Sequence, residues 1–369
     1  MTLKLKTHIF LLIAILNGSL FMSCSDDISS DTLFDKQAMV DGYAEMITDA
    51  FNDLNTNIDD LKNLVVAFNQ QSSLEDLETI QDQFLNTILA FQTARLFDIG
   101  PIKANLYMAN MAQWPSKNTD IAQIISGSDI IDESYISQLG ANQKGLHGIE
   151  YSLFQDQLDN QSIYNLFTND EDAERRINYL KYSVQELQTI CSAMQTLWLD
   201  TYKNEFSRAL ENGVNGAENR IYNQSVTVID ETINYIRLAN DAFDMDAVDP
   251  NHDNLFLWNS QFTADAIGQL ITTISTVFYN GSSPGLFDHL NFVKAQWEDG
   301  TMVANAIKYQ LDSAQVILDE IDNMETGILT NDQNIELLEQ ALKDVLTLYR
   351  TDMASWLSLL LLVGDNDGD

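Results

Sequence analysis

The sequence predicts an all-α protein, and two observations carry that expectation. Apolar residues recur three or four apart over long stretches, the spacing of a helix face turned toward a core. Only four prolines interrupt 369 residues, too few to break so many periodic segments. Cap and stop signals between the segments then set their bounds. The net charge of -36 argues against nucleic acid, whose phosphates it would repel, and against docking on anionic lipid through basic patches. Cationic or metal ligands suit it better.

The chain opens on an export signal. Lys4 and Lys6 supply positive charge, and Ile9 to Leu16 is apolar but too short to span a membrane. Leu20-Phe21-Met22-Ser23-Cys24 resembles a lipobox, so cleavage before Cys24 would leave its thiol to carry lipid. Ser25-Asp26-Asp27 looks like the acidic surface-export tag of Bacteroidetes lipoproteins. The expectation is a leader over 1–23, an acidic tether over 24–35, and a lipid anchor in the outer membrane with the protein facing outward.

The first helix is expected from Lys36 to Gln70, with Met39, Tyr43, Met46, Ile47, Phe51, Leu54, Ile58, Leu61 and Val65 in one stripe. Ser72 and Glu75 read as a capping box. The next helix carries Leu77, Ile80, Phe84, Ile88 and Phe91 and is expected to end near Gly100-Pro101, since Pro disfavours helical geometry just before it. Ile121, Ile124 and Ile125 predict a short helix. Residues 155–169 read as a polar loop, ending in a cap at Asn169-Asp170-Glu171. A long helix then runs toward Asn212, stopped by Gly213 and Gly216. Further helices are expected at Ile221 to Ala242, at Ala264 to Tyr279 with Ser260 as N-cap, at Val303 to Met324 and at Gln333 to Val363. Domain bounds of 36–212 and 213–369 follow. Once Cys24 is lipidated, Cys191 is the remaining cysteine, and its apolar surroundings mark it as a small core residue. Asp365, Asp367 and Asp369 mimic the start of a calcium loop, but no downstream Glu completes it, so an acidic tail is expected.

The chemistry concentrates at Gly145-Leu146-His147-Gly148-Ile149-Glu150-Tyr151. A His and a Glu three apart share a helix face, so an imidazole nitrogen and a carboxylate oxygen can converge on one cation or one proton. Gly145 and Gly148 allow another backbone or a ligand to come close. Beyond the leader the chain has two other histidines, His252 and His289, both read as surface residues beside an Asp. Neither H-E-x-x-H nor H-x-x-E-H is met, because Tyr151 follows Glu150. His147 and Glu150 alone leave a zinc site short of a ligand.

The segment Lys144 to Phe154 resembles the G-x-H-x-x-E signature of the imelysin-like family. Phe91 to Pro101, followed by Gln113-Trp114-Pro115, resembles that family's Phe-x-Phe-Gly-Pro and Trp-Pro runs. Asn259-Ser260-Gln261-Phe262 loosely resembles its Glu-Ser-x-x-Ser region, with Asn259 in the Glu position. Ser283-Pro284-Gly285-Leu286 and the acidic end extend the match over most of the mature chain. One departure stands out: Arg95 occupies a position where the family usually carries a Glu of its proposed metal site. An Arg cannot ligate a metal and would pair with Glu150 or bind an anion, while Asp98, one turn on, could partly compensate.

The resemblance implies two four-helix-bundle-like halves related by a pseudo-repeat, with the motif in a cleft between them. It implies a divalent or ferric metal ion as cofactor, with His147 and Glu150 as metal ligands. Arg95, Asp98, Trp114 and Ser260 are expected to bind ligand, and Cys24 to be lipidated. The leading functional expectation is a lipoprotein that binds a metal or iron species, with membrane and other iron-uptake proteins as partners. A metallopeptidase and a binder of an anionic small molecule or polysaccharide are the alternatives.

Overall fold

A computed structural model of the chain describes residues 33–155, 158–242, 256–330 and 332–362. The leader, the lipobox, His252 and the acidic tail at 365–369 lie outside the described residues. Among the described residues from Lys36 onward the secondary structure is helix joined by turns and loops. Among the described residues the only extended pairing is an isolated antiparallel bridge between Gln296 and Met302. No described helix is long and apolar enough to cross a membrane.

Helix α1 (Lys36–Ala67) buries the stripe read from the sequence, Met39 to Val65, except Met46, which is half-buried. It stops three residues before the expected Gln70. Helix α2 (Leu74–Ala94) does open on a capping box, but with Ser73 and Asp76 in place of Ser72 and Glu75. Ser73 has the extended backbone a cap requires, its hydroxyl accepts from the Asp76 N–H, and the Asp76 carboxylate accepts from the Ser73 N–H at 2.7 Å. Ser72 serves the preceding turn, accepting from the Asn69 N–H at 3.1 Å.

A single 3-10 turn, Arg95–Phe97, follows α2, so regular helix ends before Gly100-Pro101. Pro101 opens the next element, α3 (Pro101–Ala104), at a position whose N–H no helix needs. Short helices α4 (Tyr107–Met111), α5 (Asn118–Ser126) and α6 (Glu133–Ser137) lead to α7 (Gly145–Phe154), which carries the His/Glu motif. The stretch read as a polar loop contains α8 (Asn160–Thr168), capped by Asp159 and anchored by buried Ile163 and Phe167. The long helix is α9 (Ala173–Leu197); Asp172, not Asn169, stands at its cap.

The chain then makes a π turn at Trp198–Tyr202 and one helical turn, α10 (Lys203–Phe206). Trp198 is fully buried against Phe51, Tyr202 and Phe206 at ring distances of 5.6–6.0 Å. Helices α11 (Ala217–Ala242), α12 (Thr263–Tyr279), α13 (Leu286–Phe292), α14 (Val303–Asp319), α15 (Met324–Thr330) and α16 (Gln333–Leu348) follow. The helix expected from Val303 to Met324 stops at Asp319, and α15, from Met324 on, is an element the sequence reading did not give. Helix α16 ends as α9 does, in a π turn (Tyr349–Met353) and one helical turn, α17 (Ala354–Leu357).

Helix α1 packs against both α2 and α9; α12 packs against α14, and α16 against α14 and α11. Helix α2 packs on α12, and the Arg95 turn packs on α11. His289, read as a surface residue, is instead only 16% exposed in its side chain, and its Nδ1 lies 2.5 Å from the buried Glu218 carboxylate. Burial opposes that carboxylate's charge, but His289 and Lys36 outweigh it and hold its pKa below the ordinary value. Cys191 is buried, as read.

Candidate functional site

Helix α7 is buried from Gly145 to Leu153, so it serves as a core strut with no solvent face. Its glycines permit that. Gly145 has φ +71, and a Cβ there would meet the Met111 carbonyl oxygen at 2.3 Å. A Cβ on Gly148 would meet the Tyr179 hydroxyl at 2.4 Å, the same hydroxyl that donates to the Gln143 carbonyl at 2.6 Å. The two glycines therefore set how closely α4 and α9 approach the motif.

His147 and Glu150 are 3% and 2% exposed. The imidazole Nδ1 is 3.5 Å from Glu150 Oε2, the convergence that their spacing predicts. Glu150 Oε1 accepts two hydrogen bonds from one residue, the Ser260 N–H at 3.0 Å and the Ser260 hydroxyl at 2.8 Å. Ser260 was expected to cap α12. The helix starts at Thr263, with Phe262 at the cap position, and Ser260 sits in the preceding turn, its hydroxyl shared between Glu150 and, at 3.1 Å, the Leu257 carbonyl. Beyond Ser260, Thr263 donates to Glu325 Oε1 at 2.6 Å. Glu325 is buried with Oε2 unpartnered, and burial raises its pKa.

Arg95 does not meet Glu150. Its guanidinium pairs with Glu231 on α11, hydrogen-bonds Gln92 Oε1 at 3.1 Å, and lies 5.2 Å over the Tyr235 ring. Burial disfavours the charge, but Tyr235 and Glu231 outweigh it and hold the pKa above the ordinary value. The Tyr235 ring stacks on Phe256 at 4.1 Å, and Trp114 packs edge-on to both. His147 is edge-on to Phe256 at 5.7 Å.

These groups surround a cavity of about 380 Å³, lined among others by Arg95, Asp98, Lys103, Trp114, His147 and Glu231. The volume suits a small organic molecule. Two buried polar atoms on its lining residues have no partner among the described residues, Asp98 Oδ1 and Trp114 Nε1. Burial, partly offset by Lys103, pushes the Asp98 carboxyl up to about 6. Unpaired buried polar atoms cost about 1–3 kcal/mol each, so a ligand that bonded both would recover that penalty.

The described residues do not fit a bare metal ion. His147 and Glu150 lie together, but both Ser260 donors already occupy Glu150 Oε1. Among the described residues no three His, Cys, Asp or Glu side chains are placed to hold a metal. The two cations Arg95 and Lys103 line the same cavity. Of the residues singled out in the sequence, Arg95, Asp98, Trp114 and His147 share the cavity, while Glu150 and Ser260 form the hydrogen-bonded wall behind His147. Sequence reasoning missed Glu231, Tyr235, Phe256 and Glu325. The apolar run Phe256-Leu257-Trp258 just before Asn259 was a legible cue; Glu231 and Tyr235, inside an ordinary amphipathic stripe, offered none.

The model of the imelysin family, whose description also names it peptidase M75, matches residues 47–351. The fold is similar to the crystal structure of an imelysin-like protein from Psychrobacter arcticum, with TM-score 0.68, 16% identity, and coverage of 91% of this chain and 99% of that one. It is also similar to the crystal structure of a candidate iron-regulated protein A precursor from Parabacteroides distasonis, with TM-score 0.71, 17% identity, and coverage of 87% and 95%. No curated protein matches the sequence.

Proposed function

The chain belongs to the imelysin family, and from that premise we propose that it is an iron-binding protein that takes its iron as a complex with a small organic chelator. The observation that carries this is the pair of unpartnered buried atoms, Asp98 Oδ1 and Trp114 Nε1, on residues lining one cavity with His147. One accepts a hydrogen bond and the other donates one, which matches a hydroxyl and a carboxylate on a chelator better than a bare ion. Lys103, exposed on the same cavity, offers a second point for a carboxylate. The chelator would supply metal ligands that the described residues do not, and His147 could add one more. The iron link is supported by the name of the Parabacteroides structure.

The same proposal holds the protein by lipid on Cys24 at the outer membrane, facing out of the cell, beside other iron-uptake proteins. The run Leu20 to Cys24 and the acidic residues after it support this. Mass spectrometry of the mature N-terminus would find acyl groups on Cys24, lost in Cys24→Ser.

The deciding experiment is calorimetric titration of the mature protein with ferric citrate, haem, and free ferric, ferrous and zinc ions. Ferric citrate should bind, and Trp114→Phe and Asp98→Asn should each weaken it. If only a free ion binds and His147→Ala abolishes it, the chelate reading is wrong, and metal-dependent cleavage of a peptide library would then identify a peptidase. If nothing binds, the cavity has no role in iron chemistry.

A further inference from the structure

A second concave surface lies between α14 and α16, apart from the His147 cavity and sharing no lining residue with it. It is an open groove of about 470 Å³, within the range of small-molecule sites. Trp297 on one wall is 38% exposed, and Tyr309 on α14 is 68% exposed. Two large aromatic rings left to solvent in one groove are unusual for a surface without a binding role. The indole is held in place, not loose: its Nε1–H donates to Asp352 Oδ1 at 2.6 Å. Its backbone is fixed as well, since the Trp297 N–H donates to the Thr301 carbonyl at 3.0 Å. A ring set before the ligand arrives loses little freedom on binding.

Planar polar groups sit beside the rings. Asn305 and Gln310 line the groove, and neither side chain is hydrogen-bonded among the described residues. Asp344 gives one oxygen to Gln340 at 2.8 Å and keeps the other free. Ala306 and Leu348 provide apolar lining between them.

We propose that this groove is a glycan-binding site for neutral hexose units. A pyranose ring has an apolar face of C–H groups and an equatorial rim of hydroxyls. Trp297 and Tyr309 offer surfaces for the first, and Asn305, Gln310 and Asp344 offer acceptors and donors for the second. The charge decides which sugars enter. Asp344 and Asp352 are acids at the groove, and the cations on the flanking elements, Lys308, Lys343 and Arg350, are already paired with Asp312, Glu339 and Asp230. Uronates and sulfated sugars are therefore repelled. The inference does not rest on the iron reading.

The experiment is titration of the mature protein with cellohexaose, maltohexaose, mannohexaose and chitohexaose, with oligogalacturonate as the charged comparison. At least one neutral oligosaccharide should bind at millimolar concentration and oligogalacturonate should not. Tyr309→Ala, at a site too exposed to threaten folding, should weaken binding about fivefold, and Trp297→Ala about tenfold. Trp297→Phe should stay within about threefold of the native protein, since the ring remains. Trp114→Phe should leave sugar binding unchanged. The proposal falls if no neutral oligosaccharide binds, if binding survives Tyr309→Ala and Trp297→Ala, or if oligogalacturonate binds better. It also falls if the two alanine variants abolish a concentration-dependent dimer in place of sugar binding.

Discussion

Replacing Ser260 with Ala tests whether Glu150 is held as the structure has it. The substitution removes the hydroxyl that donates to Glu150 Oε1 at 2.8 Å and keeps the backbone N–H that donates at 3.0 Å. A hydrogen bond to a charged acceptor contributes about 1.5–3 kcal/mol. Because Oε1 retains one donor, no acceptor is left bare, and the loss should fall near the lower end, about 1.5–2 kcal/mol. Each kcal/mol shifts Tm by about 2–4 °C in chains of a few hundred residues, so Tm should drop by roughly 3–8 °C. Ser282→Ala, at an exposed position, is the control and should change Tm by under about 1–2 °C. Calorimetric melting of the three proteins at neutral pH is sufficient. Equal melting of Ser260→Ala and the control would refute the clasp, and with it the idea that the turn before α12 fixes the motif.

Three further outcomes are expected. Asp98, with a folded pKa of about 6 against an ordinary 3.8, binds its proton more readily in the folded chain. Its contribution to stability is therefore complete below the ordinary value and is lost as pH rises through about 6. Urea unfolding across that window should show Asp98→Asn gaining on the native protein as pH rises; a constant gap would contradict the burial of this carboxyl. Gly145→Ala sets a Cβ 2.3 Å from the Met111 carbonyl oxygen at φ +71, and should cost roughly 2–4 kcal/mol in urea unfolding; a loss under about 1 kcal/mol would mean that α4 does not pack there. Burial, with Asp59 adding, pushes the Cys191 thiol up to about 12. In a protein carrying Cys24→Ser, an aromatic disulfide reagent should label nothing at pH 8 until denaturant is added, and rapid labelling of the folded protein would place Cys191 at the surface.

Much of the helical architecture was legible because periodicity reports burial directly. The stripe of α1 and the inward face of α12 are where their spacing puts them. Boundaries failed where two local signals competed. Ser72 and Ser73 are both plausible caps, and only the backbone at Ser73 separates them. Helix α8 escaped notice because its nine residues bury just Ile163 and Phe167, a period too short to rise above a polar background. The site was half legible. His147 and Glu150 meet because they share a helix, a local fact. Arg95 finds Glu231, 136 positions away, and no local pattern encodes which of many acidic residues a packing arrangement will bring to it. Ser260 was noticed as a helix cap and through its family resemblance, and neither reading carried its hydrogen bonds to Glu150, 110 positions earlier.

The π turns at the ends of α9 and α16 change how the chain should respond to a shortened sequence. A π turn holds one more residue than the α turn it replaces. Deleting the exposed Asp200 would let the backbone close into regular helix with Phe206 still facing Trp198, because the extra residue is held locally. Deleting one residue from the regular part of α9 would instead turn everything after it by about 100°. The same contrast holds for the exposed Thr351 and the regular part of α16. The two π turns are therefore the places in these helices where the chain can lose a residue and keep its aromatic frame.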